Sequence, residues 1–113
     1  MSYVRIVAAY DDDDRQRMII VGPQKIDNSL SDNVEMFGYI KDWSEDESNY
    51  VEYPFILKNI SETDGVADWG AFDETRTVLD VYGRRLVEGE KIVRTENNEV
   101  YKYTIISISE IGS

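Results

Sequence analysis

Six or seven short stretches of this chain alternate apolar and polar residues or run β-branched. Polar turn-formers separate them at spacings of about 8–15 residues. Period two places successive side chains on opposite faces, so such a chain is constrained to build sheet. In Tyr3–Tyr10, Val4, Ile6, Ala8 and Tyr10 share one face. After the turn Asp11–Asp14, Gln16–Val21 returns with the run Met18-Ile19-Ile20-Val21, and Gly22-Pro23 ends it. Val34–Trp43 sets Val34, Met36, Gly38 and Ile40 against Phe37, Tyr39 and Trp43. Ser44–Asn49 is a loop, and Tyr50–Ile60 follows with Val51, Tyr53, Phe55 and Leu57 on one face. Pro54 cannot donate to a ladder, which marks that strand as an edge or an interrupted one. A third hairpin pairs residues 90–95 with 100–108 around Glu96–Glu99.

Ser61–Thr75 reads as turn and irregular loop. The β-branched run Thr75–Val81 favours a strand. Trp69, Phe72, Arg76, Leu79 and Tyr82 also fall at helical spacing. The expectation is a single compact domain, 1–113, mainly β: a small barrel or roll of six to seven antiparallel strands. The alternative is α+β with one short helix near 66–82.

The chain has neither cysteine nor histidine. That excludes disulfides, thiolate metal sites, the commonest zinc ligand and the hydrolase triad. No cofactor or metal is expected, and no enzymatic activity. The N-terminus does not resemble a signal peptide, and no apolar run approaches the ~20 residues of a membrane span. A cytoplasmic protein is the expectation.

The net charge is −11, and residues 31–80 hold 13 of the 23 acidic residues beside only Lys41, Lys58 and Arg76. The same block carries both tryptophans, all three phenylalanines and three of the eight tyrosines. Nucleic acid and anionic membrane surfaces would be repelled; a basic protein surface would be attracted. Asp11–Asp14 lacks the ligand spacing and glycine of a calcium loop, so it reads as a solvated hairpin tip screened by Arg15 and Arg17. Arg84-Arg85 is expected to pair with Glu88 and Glu90.

These residues point to a small acidic binding protein that docks on a basic protein surface. An immunity-type or anti-defence inhibitor of a nucleic-acid-binding protein would work this way. The expected contact residues are Trp43, Glu45, Asp46, Glu47, Tyr50, Asp64, Asp68, Trp69, Asp73 and Glu74; charge reversal at Glu45–Glu47 is expected to weaken binding more than reversal at Asp11–Asp14, because only the former lie among the aromatics. Two alternatives remain open. One is a small-molecule-binding β-barrel walled by Tyr3, Phe37, Tyr53, Phe55, Tyr101 and Tyr103. The other is a structural or assembly subunit that oligomerises through sheet edges.

Overall fold

The alternating stretches hydrogen-bond in chain order. The computed structural model describes residues 2–71 and 73–112. It contains β1 (Ser2–Tyr10), β2 (Asp13–Gln24), β3 (Met36–Ser44), β4 (Asn49–Asn59), β5 (Gly65–Asp68), β6 (Thr77–Leu79), β7 (Lys91–Glu96) and β8 (Glu99–Gly112). Every neighbouring pair is antiparallel, and β8 closes back on β1 to complete an eight-stranded barrel. Closure leaves no sheet edge along the fully paired strands.

The mainly β barrel agrees with the sequence reading, but the strand number is eight rather than six to seven. β5 is the addition, falling where the sequence reads as turn and loop. The helix near 66–82 does not form: Val66 and Ala67 pair with Lys58 and Leu57 on one side and with Val78 and Thr77 on the other. Phe72, part of that helical spacing, lies outside the described residues. β2 also runs past Gly22-Pro23, which pair with Val4 and Tyr3. Pairing of β2 with β3 stops at Val21, so the missing amide of Pro23 leaves no gap in that ladder.

Period two sorts each strand into an inner and an outer face. Val4, Ile6, Ala8, Met18, Ile20, Met36, Ile40, Phe55, Leu57, Ala67, Leu79, Ile92, Tyr103 and Ile105 fill the interior. Gly38 is needed there, because a Cβ would stand 2.2 Å from the Ile19 carbonyl oxygen and 2.7 Å from the Phe55 ring. Arg5, Arg17, Lys41, Glu52, Lys58 and Lys102 alternate with these onto the outer face. The outer face is mixed, since Val7, Ile19, Phe37, Tyr39 and Ile56 share it with these charges. No helix among the described residues is long and apolar enough to cross a membrane.

In an up-and-down meander, successive connections alternate between the two ends. One end is closed. Leu30 from the 25–35 connection and Val81, Tyr82 and Leu86 from the 80–90 connection are buried across it. The Gln24 amide ties the two connections together, donating to the Asn28 carbonyl at 2.7 Å and the Leu86 carbonyl at 3.0 Å. The Leu86 amide donates to the Asn28 carbonyl at 2.9 Å. The other end is open.

Candidate binding site at the open end of the barrel

At the open end the inward face changes from apolar to polar. Ile92, Arg94 and Glu96 lie at alternate positions of β7, so Arg94 and Glu96 continue the inner face of Ile92. The Arg94 guanidinium donates to both Glu96 carboxylate oxygens at 3.0 Å and to the Tyr103 hydroxyl at 3.1 Å. That hydroxyl donates to the Gln16 side-chain oxygen, and the Gln16 amide donates to Asp42 at 3.4 Å. On the opposite side, the Trp69 indole N–H donates to the Thr77 hydroxyl at 2.8 Å, and Thr77 donates to Glu96. One hydrogen-bonded chain thus runs through β3, β2, β8, β7 and β6 to Trp69 at the end of β5. Tyr10 of β1 stacks on Tyr101 and Tyr103 at 5.9 and 5.3 Å, and Phe55 of β4 packs edge-on to Trp69 at 5.3 Å. Seven of the eight strands, and Trp69 just after β5, contribute to this girdle.

Arg94 sits between the Tyr101 and Trp69 rings, with its guanidinium carbon 5.0 and 5.8 Å from their centroids. Burial works against its charge, but Tyr103 and Glu96 outweigh that and hold its pKa above the ordinary arginine value. Burial raises the Tyr103 pKa, with Arg94 opposing. Above the girdle lies a cavity of about 300 Å³. Tyr53, Trp69 and Ile40 give it apolar wall, and Asp42, Asp73 and Glu96 face it with three carboxylates to the one guanidinium.

The rim is acidic. Four connections meet at this end: Asp11–Asp12, Glu45–Ser48, the 69–76 segment and Asn97-Asn98. Beside the first, Asp13 and Asp14 begin β2; Asp68, Asp73 and Glu74 flank or occupy the third, and Glu96 and Glu99 flank the fourth. Local bonds fix several of these carboxylates. Lys91 and then Thr104 hold the Asp11 pKa below its ordinary value, and Arg15 does the same for Asp13. The Gly70 amide, then Lys58, lowers that of Asp68, and the Thr75 amide lowers that of Asp73. Asp11, Asp12 and Asp13 bond to Lys91, Tyr10 and Arg15 respectively, so they turn to different partners rather than to a common centre.

Of the ten residues expected from the sequence, the structure brings nine to the open end. Trp69 and Asp73 line the cavity. Asp68 and Glu74 belong to the same rim segment. Trp43 and Tyr50 pair across the base of the β3–β4 tip, ring centroids 5.2 Å apart, on its outer face; Glu45, Asp46 and Glu47 form the tip. Asp64 is the exception. It lies at the closed end, where its carbonyl accepts from the Ile60 amide at 3.0 Å and closes the β4–β5 turn. Asp11–Asp14 does not lie apart: Arg15 bridges Asp13 at 3.0 Å and Glu45 at 3.5 Å, and Tyr10 donates to Asp12. Among the expected pocket walls, Tyr53, Phe55, Tyr101 and Tyr103 face inward, whereas Tyr3 and Phe37 are exposed on the outside. Arg84 pairs with Asp80 at 3.8 Å, rather than with the expected Glu88 or Glu90.

Gln16, Asp42, Thr77, Arg94 and Glu96 were not expected from the sequence. A signal for them exists: each is polar at an inward position of its strand.

No family model matches this chain. No curated protein and no solved structure shows significant similarity to it either.

Proposed function

We propose that this is a cytoplasmic, non-enzymatic binding protein whose open barrel end docks on a basic surface of another protein. The observation that carries this reading is the convergence of acidic connections on one rim around an aromatic mouth. Arg15, Lys58, Lys91 and Arg94 each pair with a carboxylate at or beside that rim, and Asp46, Glu47 and Glu74 add further negative charge to it. Clustered carboxylates speed the encounter with a cationic surface, and aromatic side chains beside them hold the complex afterwards. A protein that ordinarily grips nucleic acid presents such a surface, which suits an inhibitor of the immunity or anti-defence kind.

Capture from cell extract on immobilised protein tests this reading. The retained partner should be basic, should elute as salt shortens the Debye length below ~10 Å, and should be lost on charge reversal of Glu45, Asp46 and Glu47. A partner retained equally by the reversed variant, or indifferent to salt, overturns it.

The cavity supports a second reading, in which a small polar ligand binds at the mouth against Tyr53 and Trp69. Its volume of about 300 Å³ falls at the lower end of ordinary ligand sites.

A further inference from the structure

The barrel wall is uneven beside the mouth. β4 pairs with β3 from Asn49 opposite Ser44 to Leu57 opposite Met36. On its other side, β5 reaches only Ile56–Asn59. Among the described residues, no backbone hydrogen bond ties residues 49–55 to the 69–76 connection. Asn49, Tyr50, Glu52, Tyr53 and Pro54 are exposed. The barrel therefore carries a free strand edge about six residues, or ~20 Å, long. Natural sheets cover or blunt such edges; here Pro54 removes one donor, the Asn49 side chain takes the Tyr50 amide at 2.8 Å and Glu52 adds one charge, which leaves the Glu52 amide and the carbonyls of Tyr50, Glu52 and Pro54 to an added strand.

Where β5 ends, an almost wholly apolar groove of about 420 Å³ opens on the outer wall beside this edge, between Phe37, Pro54, Ile56 and Trp69. Phe37 is 52 % exposed and Ile56 41 %. An added strand would find main-chain partners along the edge and an apolar slot for its alternate side chains.

Charge selects the occupant. A second copy would bring another net −11 to a site flanked by Glu52, Asp68 and the acidic rim, and like-charge repulsion opposes that. A segment with Lys or Arg on one face and β-branched residues on the other meets both the carboxylates and the groove. We propose that residues 50–55 of β4 accept an extended basic segment of a partner protein as an added strand, its apolar side chains seated in the groove against Pro54, Ile56 and Trp69. This rests on the docking reading above and specifies how the partner is held.

The test uses the full chain and three octapeptides of alternating lysine and valine, acetylated and amidated. One is unmodified; the other two carry N-methyl groups on alternate amides, one in each register. All three keep the same charge. Titration at low salt, with amide hydrogen exchange on the complex, should show the unmodified peptide binding about tenfold tighter than at least one methylated form, as expected when backbone hydrogen bonds are removed. Exchange should slow at amides within residues 50–55. Equal binding by all three peptides, or protection confined to other strands, overturns strand addition and leaves acidic docking standing. No binding by any of them overturns both.

Discussion

Tyr82 carries its hydroxyl into the closed end without a hydrogen-bond partner. Burial, with Asp32 adding, pushes its pKa from 10.0 up to about 12. A buried unpaired hydroxyl costs folding free energy that phenylalanine does not. Tyr82→Phe should therefore raise stability by about 1 kcal/mol at neutral pH, read from the urea midpoint; a loss of stability would show that the hydroxyl is bonded. A raised folded pKa contributes stability that is complete below the unfolded value and is lost as pH rises through the folded one. The native chain should thus weaken between pH 10.0 and about 12, and Tyr82→Phe should lose less over that interval. At the mouth, Arg94 and Glu96 are both mostly buried. Arg94→Met leaves Glu96 with Thr77 as its remaining side-chain donor, at an expected cost of about 3 kcal/mol. Adding Glu96→Gln removes the stranded charge and should recover much of that loss in the same denaturation assay.

Among elements, the β7–β8 turn shows how far local chemistry carries. Asn97 and Asn98 have φ of 52° and 64°, the two left-handed residues of a tight primed hairpin turn. Asparagine tolerates that region and β-branched residues do not, so Asn98→Val should cost about 1–3 kcal/mol by thermal or urea denaturation. Strand patterning and this hairpin were legible because alternation and turn chemistry are local. β5 was not, since it spans four residues, Gly65–Asp68, of which only Val66 carries a strand preference. The acidic site was legible in composition but not in extent. Grouping acids along the chain put Asp64 with Glu45–Glu47 and left Asp11–Asp14 out. In a meander the first, third, fifth and seventh connections share one end, and that parity reverses both assignments. Arg94 and Glu96 were hidden for a different reason: inward polar residues are recognisable only once it is known which strand ends reach the open mouth.

For the whole molecule, the proposed docking and the acid stability both turn on charge. Partner binding should weaken steeply with salt, mainly through a slower on-rate. Reversal at Asp11–Asp14 should now weaken it as well as reversal at Glu45–Glu47, because Arg15 bridges the two turns. Surface plasmon resonance on both variants checks this, after circular dichroism shows an intact sheet. Acid should act first at the same end. The pKa values of Asp11, Asp13, Asp68 and Asp73 lie below the ordinary 3.8, through Lys91, Arg15, the Gly70 amide and the Thr75 amide; at the closed end Ser29 lowers that of Asp27, so four such carboxylates stand at the mouth against one there. Depressed carboxylates contribute stability that is complete above pH ~5 and is lost as pH falls through their folded values. Amide exchange below pH ~4 should accordingly rise around the mouth before it rises at the closed end.

The two outermost strands of the sequence meet at the closed end, where Tyr3 stands opposite Gly112. Anything joined to either terminus therefore departs from the pole opposite the acidic mouth. A fluorescent protein, an affinity handle or a surface tether attached there leaves the acidic mouth pointing outward. The same proximity makes the chain a natural subject for circular permutation: a short linker joins the old ends, and new ends are cut within Glu45–Ser48. Such a permutant should retain the barrel while dividing the acidic tip between two free termini. It would thereby separate what the tip's charge contributes from what its covalent continuity contributes.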